Sequence, residues 1–218
     1  IGGGIIGLTV ARELVARFPG ASIVVIDKEP DVAYHASGRN SGVLHAGFYY
    51  TANSLKARFA KEGNRAMREY CVTRGLRFNP CGKLVVATCE EDLYGLMELK
   101  RRAEANGVEL IWMNEKEIAF VDPHAKTYQK ALYSPYTATV DPLQICRTMK
   151  RELMEQGVEF RFNTRYAGRR DGIVVTNRGP LACEYVVNAA GLYADKIARD
   201  YGFGESYTII PFKGLYVK

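Results

Sequence analysis

Ile1-Gly2-Gly3-Gly4-Ile5-Ile6-Gly7 opens the chain, and an amphipathic run then leads to Ile23-Val24-Val25-Ile26-Asp27. Gly2, Gly4 and Gly7 have the G-x-G-x-x-G spacing. In that pattern the first glycine makes a tight turn, the second lets the backbone approach a pyrophosphate, and the third lets helix and strand pack closely. A helix beginning here has unpaired N–H groups and partial positive charge at its start, so the turn predicts an anion seat. Leu8, Ala11, Leu14, Val15 and Phe18 fall on one face of that helix. The run from Ile23 is apolar on both faces, as a buried parallel strand should be. It ends in Asp27, whose carboxylate can accept hydrogen bonds from ribose hydroxyls. The expectation is an α/β dinucleotide site; the alternative is a plain strand-to-helix turn that needs small residues for packing.

Two further stretches point the same way. His35-Ala36-Ser37-Gly38-Arg39-Asn40-Ser41-Gly42-Val43-Leu44-His45-Ala46-Gly47 gathers small residues, hydroxyls, an amide and an Arg, as a backbone wrapped around a polyanion and a flat ring requires. Tyr185-Val186-Val187-Asn188-Ala189-Ala190-Gly191 runs as a buried strand into three small residues and a helix start, so backbone can again come close to a ligand.

Between them, residues 54–73 predict a helix capped by Ser54 or Asn53, with Leu55, Phe59, Ala66 and Tyr70 near one face. A strand is expected around 81–88. A helix follows from Glu90, with acids at its start and Lys100, Arg101 and Arg102 towards its end, where each complements the dipole. Gly107 stops it and a strand follows over 108–112. Residues 114–140 read as irregular, made of short strands and connections. Asp141-Pro142 starts a helix to about Gln156, and 158–162 alternates as a strand. The runs 172–176 and 181–185 suggest an antiparallel meander turning at 177–180.

The 218 residues, 47% hydrophobic and 25% charged, are ordinary for a globular chain of one large or two small domains. The net charge of +6 comes from scattered Lys and Arg, without the basic stripe and interleaved aromatics of a nucleic-acid surface. Five cysteines form no C-x-x-C pair, which predicts reduced thiols in a cytosolic-type compartment. The expected location is cytoplasmic, with peripheral contact at the inner face of a membrane as the alternative. No apolar run approaches the roughly 20 residues of a membrane-spanning helix. The chain lacks an initiator Met and opens at the end of an expected strand, which points to a longer natural N-terminus. The three His and five Cys show no metal-ligand spacing.

Taken together, these stretches resemble the D-amino-acid-oxidase-like family of FAD-dependent oxidoreductases over essentially the whole chain. Residues 37–50, 81–88 and 210–216 are similar to its L-2-hydroxyglutarate oxidase/dehydrogenase branch. The resemblance implies a Rossmann-like, glutathione-reductase-type FAD domain with a parallel sheet and a small β-meander, over 1–80 and 141–207. An interleaved α+β substrate domain would take 81–140 and 208–218. It implies that Gly2, Gly4, Ile5, Ile6 and Gly7 meet the FAD pyrophosphate region, and Asp27 and Lys28 the adenosine end. Ser37, Arg39, Asn40 and Ser41 would line the pyrophosphate and ribityl region, with Leu44 and His45 near the isoalloxazine. Ala189, Ala190 and Gly191 would close the far side. The family commonly carries Val at the position of Tyr166, where the backbone meets adenine; this chain carries Tyr.

The implied reaction is oxidation of the α-carbon of an L-2-hydroxy acid, with hydride passing to flavin N5. His45 is the candidate base because an imidazole titrates near neutrality; a covalent link to FAD and a purely structural bond are its other roles. Lys213 is a candidate partner for a substrate carboxylate. The implied partners are the hydroxy acid and an electron acceptor, whether oxygen, a quinone or another flavoprotein. Alternatives are an amine or amino-acid oxidase, a glycerol-3-phosphate-type dehydrogenase, an NAD-dependent Rossmann enzyme, and a non-catalytic fragment.

Overall fold

The computed structural model describes residues 1–212 and Gly214. In chain order the elements begin with α1 (Ile5–Arg17), β1 (Val24–Ile26), β2 (Val43–Leu44), α2 (Leu55–Thr73), β3 (Phe78–Asn79) and β4 (Lys83–Val86). There follow α3 (Glu90–Ala105), β5 (Ile111–Asn114), α4 (Glu115–Ile118), β6 (Lys130–Ser134) and β7 (Ala138–Val140). The last are α5 (Pro142–Glu155), β8 (Glu159–Arg161), β9 (Tyr166–Arg170), β10 (Ile173–Thr176), β11 (Gly179–Leu181) and α6 (Ala194–Asp200). Two compact units result, Ile1–Ser41 with Pro142–Lys218, and Gly42–Asp141.

In the first unit β1 and β8 pair in parallel, with Val25 opposite Phe160. The apolar run predicted from Ile23 therefore forms the expected buried strand, its Val25 and Ile26 inside. Helix α1 packs against α5, burying Leu8 and Ala11 together with Ile145, Cys146, Met149 and Leu153 of α5. Pro142 opens α5 as expected, since its fixed φ suits the first helical position and that N–H would be unpaired anyway. Asp31 accepts from Lys150 Nζ at 2.6 Å, tying the loop after β1 to α5.

The meander forms, but not where the sequence put it. Its order is β11-β10-β9, so Tyr166–Arg170 is a strand that the sequence reading missed, and the third strand is Gly179–Leu181 rather than 181–185. The hairpin turns at Asn177-Arg178, where Thr176 Oγ1 donates to Gly179 O at 2.7 Å and accepts from the Arg178 N–H. The buried strand expected at 185–187 is also corrected: Tyr185 is 87% exposed and no strand is formed there. Ile1 lies alongside: its N donates to Val187 O at 2.7 Å and its carbonyl accepts from Ala189 N at 2.8 Å.

In the second unit, one antiparallel sheet has the order β4-β6-β5 and another the order β2-β7-β3. The short strands expected within 114–140 include β6 and β7, and β6 is the central strand of its sheet, with Ala131, Leu132 and Ser134 fully buried. The expected strand at 108–112 begins later, at Ile111; Val108 and Leu110 instead anchor the core with Phe48, Leu96, Ala103 and Leu132.

Helix α2 starts where expected, with Ser54 Oγ accepting from Ala57 N. Of the predicted face, Tyr70 is buried but Leu55, Phe59 and Ala66 are exposed. Leu55 is 67% and Phe59 59% exposed, and the inward residues are Ala57, Asn64, Tyr70 and Cys71. Asn64 turns this face inward because its amide meets three backbone carbonyls there. Residues 42–80 lie in the second unit, where β2 and β3 both pair with β7.

Candidate functional site

The glycine turn lies at the end of β1, where Gly2 N donates to Ile26 O at 2.9 Å. Gly2 has φ +113, and a Cβ there would lie 2.3 Å from the Ala189 carbonyl oxygen. A Cβ on Gly7 would lie 1.9 Å from the Gly2 carbonyl oxygen. Both are backbone obstacles that no rotamer change relieves, so these positions admit only glycine. A Cβ on Gly4 would stand 3.0 Å from Ser37 Oγ.

These contacts bring the three predicted stretches together within the first unit. Ser37 Oγ accepts from Ile5 N at 2.9 Å, at the start of α1, where Gly4 offers no capping side chain and no acid occupies the first turn. The helix start therefore keeps its positive end for an anion. Asn40 Nδ2 donates to the carbonyls of Ala36 and Ser37 at 3.0 Å each, holding the bend that presents Ser37. Arg39 lies over the Tyr34 ring at 5.9 Å, and Ser41 is exposed. On the opposite wall, Asn188 Oδ1 accepts from Ala190 N at 3.3 Å while its Nδ2 donates to Ala194 O at 2.8 Å. That pair of bonds shapes the Ala189-Ala190-Gly191 turn, in which Gly191 has φ +55.

Asp27 sits beside the turn. Its Oδ2 accepts from Gly3 N at 2.6 Å and its Oδ1 from Glu29 N at 2.9 Å. A carboxylate has about four lone-pair sites, so each oxygen keeps capacity for a hydroxyl donor. Next to it Glu29 binds both Lys28 and His35, the latter at 2.7 Å. Lys28 first, and then His35, hold the Glu29 carboxyl below its usual range. Lys28 Nζ is also 3.0 Å from His35 Nε2 and lies 5.1 Å from the Tyr193 ring centroid.

Tyr166 opens β9, opposite Thr176. Its hydroxyl and that of Tyr201 are buried with no hydrogen bond of good geometry among the described residues, although the Asp200 carboxylate and Tyr201 lie close to the Tyr166 hydroxyl. Burial first, and the Asp200 carboxylate next, push the Tyr166 phenol well above its ordinary value.

Leu44 and His45 belong to the second unit. Leu44 pairs with Ala138 at the end of β2, and His45 follows it, open to solvent. Desolvation of the ring, followed by the charge of Lys83, lowers the imidazole below its ordinary 6.5. Lys213 lies outside the described residues. The sequence reading missed Asn64, which donates to the carbonyls of Leu44 and His45, and Asn188; an amide facing carbonyls has no periodic signal.

The first unit thus offers a cradle of small residues, a helix start and a carboxylate, which fits a dinucleotide's pyrophosphate and ribose. The family model described as "DAO: FAD dependent oxidoreductase" matches residues 1–218. L-2-hydroxyglutarate dehydrogenase of Escherichia coli K12 is 34% identical over 223 residues, covering 100% of this chain and 53% of that protein. The human mitochondrial L-2-hydroxyglutarate dehydrogenase is 36% identical over 234 residues, covering 100% of this chain and 50% of that protein. The chain therefore spans about half the length of these relatives. Among solved structures, glycine oxidase from Geobacillus kaustophilus superposes with a TM-score of 0.82 at 22% identity, over 93% of this chain and 57% of its own. L-proline dehydrogenase from P. horikoshii gives 0.81 at 23%, over 93% and 54%. These likenesses establish an α/β fold with a parallel sheet.

Proposed function

Because the chain belongs to the DAO family of FAD dependent oxidoreductases, we propose that the protein oxidises the α-carbon of an L-2-hydroxy acid, L-2-hydroxyglutarate or a close analogue. The observation that carries the substrate class is identity of 34–36% along the whole chain to proteins named for that acid. FAD, when bound, supplies the two-electron acceptor; the protein's part is binding, orientation and electrostatics.

The close approach of Gly2 and Gly7 to backbone, and the α1 start supported by Ser37, suit the pyrophosphate. Ile5 and Ile6 lie in that first turn. Asp27, steadied by Gly3 and Glu29, would take the adenosine ribose, with Lys28 beside it and the backbone near Tyr166 against adenine. Arg39, Asn40 and Ser41 would follow the diphosphate towards the ribityl chain, and Ala189, Ala190 and Gly191 would close the other wall. The FAD domain in this reading takes 1–80 and 141–207, and the substrate domain 81–140 and 208–218.

His45 would take the hydroxyl proton and Leu44 would flank the flavin. An imidazole lowered from 6.5 is neutral at pH 7, the form a base requires. Lys213 would face a substrate carboxylate. The electrons then leave to oxygen, a quinone or another flavoprotein, and re-oxidation rates with each in turn identify which. Among the described residues no helix is long and apolar enough to cross a membrane; a cytoplasmic location, with contact at a membrane's inner face, is part of the same proposal.

The test is anaerobic mixing of the full-length protein with candidate donors while following the flavin absorption band. Bleaching by L-2-hydroxyglutarate but not by its D isomer, sarcosine, D-amino acids or glycerol phosphate is expected. Bleaching by an amine or by glycerol phosphate alone would replace the substrate assignment.

A further inference from the structure

The buried amide of Asn64 is unusual in this fold. It lies on α2, 6% exposed, and its Nδ2 is 3.1 Å from each of three carbonyl oxygens, those of Leu44, His45 and Tyr136. All three neighbours are acceptors, so the nitrogen rather than the oxygen of the amide must face them. Two N–H donors serve three carbonyls, and one donor is shared.

The consequence is a clamp. Leu44 ends β2 and His45 follows it, while Tyr136 lies in the turn between β6 and β7. One turn along α2, Arg68 Nη2 reaches the same Tyr136 carbonyl at 3.4 Å, and its guanidinium lies 4.9 Å from the Phe78 ring centroid. The helix thus holds the chain at the point where β2 stops and the ring-bearing residue begins. A hydrophobic residue at 64 would fill the space but leave carbonyls unpaired.

We propose that Asn64 is a positioning residue for the oxidation, fixing the backbone of Leu44 and His45 so that the His45 imidazole is presented at one place. This rests on the reading of His45 as the proton acceptor. Asn64 touches neither substrate nor cofactor in this role; it acts through His45. A displacement of about 1 Å in a reacting group can cost a factor of roughly a hundred in rate, so the clamp matters beyond stability.

The test uses the full-length holoenzyme and four variants, Asn64→Asp, Asn64→Gln, His45→Gln and the double variant Asn64→Asp/His45→Gln. Asn64→Asp removes the donors at constant shape and should lower kcat about 10- to 100-fold with KM little changed. Asn64→Gln keeps both donors and should lose less. In the double variant the Asp change should cost almost nothing further, because residues acting as one unit are not additive. Independently of turnover, the NMR signal of the His45 ring should move in Asn64→Asp while those of His35 and His124 stay. Should Asn64→Asp fail to fold, Asn64→Gln carries both arms. An unmoved His45 signal, or fully additive losses when His45→Gln is slowed but still measurable, would overturn the proposal alone. Full turnover in His45→Gln would remove the role of His45 and the proposal with it.

Discussion

Ser37 Oγ accepts the Ile5 N–H at 2.9 Å across 32 residues of sequence. The cap that Gly4 cannot provide for α1 is thereby supplied from a distant loop, and the helix start and the Ser37 loop are ordered together. Ser37→Ala should cost about 1 kcal/mol, the ordinary value of an N-terminal cap. Melting of the apo and FAD-loaded forms checks it, and the loaded form should lose more if Ser37 also meets the cofactor.

Glycines of this chain divide sharply in what they tolerate. Gly7→Ala sets a methyl 1.9 Å from a carbonyl oxygen, and should destabilise by about 2 kcal/mol or more while weakening FAD retention. Gly63→Ala, on the exposed side of α2 with nothing within 4 Å, should stabilise by about 0.5–1 kcal/mol through helix propensity. Chemical denaturation of the two variants measures the contrast.

Lys150 and Asp31 give a pH signature. Burial alone would raise the Asp31 carboxyl, but the bond to Lys150, the Val32 N–H and the charges of Lys150 and Arg147 outweigh it and hold it below 3.8. A depressed carboxylate stabilises the fold above its unfolded value, and that share is lost as pH falls through the folded value. Lys150→Met should therefore lower the melting temperature at pH 7, and the gap to the parent should narrow as the pH is taken below 3.8.

Tyr166 buries a hydroxyl that has no hydrogen bond of good geometry among the described residues. Tyr166→Phe removes an unsatisfied polar atom at nearly constant volume, and should leave stability unchanged or raise it by up to about 1 kcal/mol. If adenine is met by backbone at this position, FAD affinity in Tyr166→Phe stays at the parent value, as fluorescence titration of the apoprotein would record.

The glycine turn, the Ile23–Asp27 strand and the starts of α2, α3 and α5 were legible because each depends on local chemistry: backbone freedom, apolar pattern or a capping residue. The inward face of α2 was not. Leu55 and Phe59 carry the apolar signal, whereas the face is chosen by Asn64, whose partners are carbonyls up to 72 residues away. The short strands expected within 114–140 could not be placed, because the residues of β6 lie among Tyr and Pro that read as connection. The run at 185–187 has strand chemistry but forms no strand, and Val187 O accepts a hydrogen bond from Ile1 N. Within the candidate site, the three bends were expected to face one cofactor, but the particular contacts of Gly2 with Ala189 and of Gly4 with Ser37 are a property of the fold.

The hydrogen bond from Ile1 to Val187 joins residues 186 apart, and the Gly2 turn leans on Ala189 beside it. During synthesis, the glycine turn must wait until a segment some 186 residues further along has emerged before the nucleotide has two walls. Closures that long are slow to find, so nascent chains truncated before Ala189 should be unable to retain a flavin, however well α1 has already coiled.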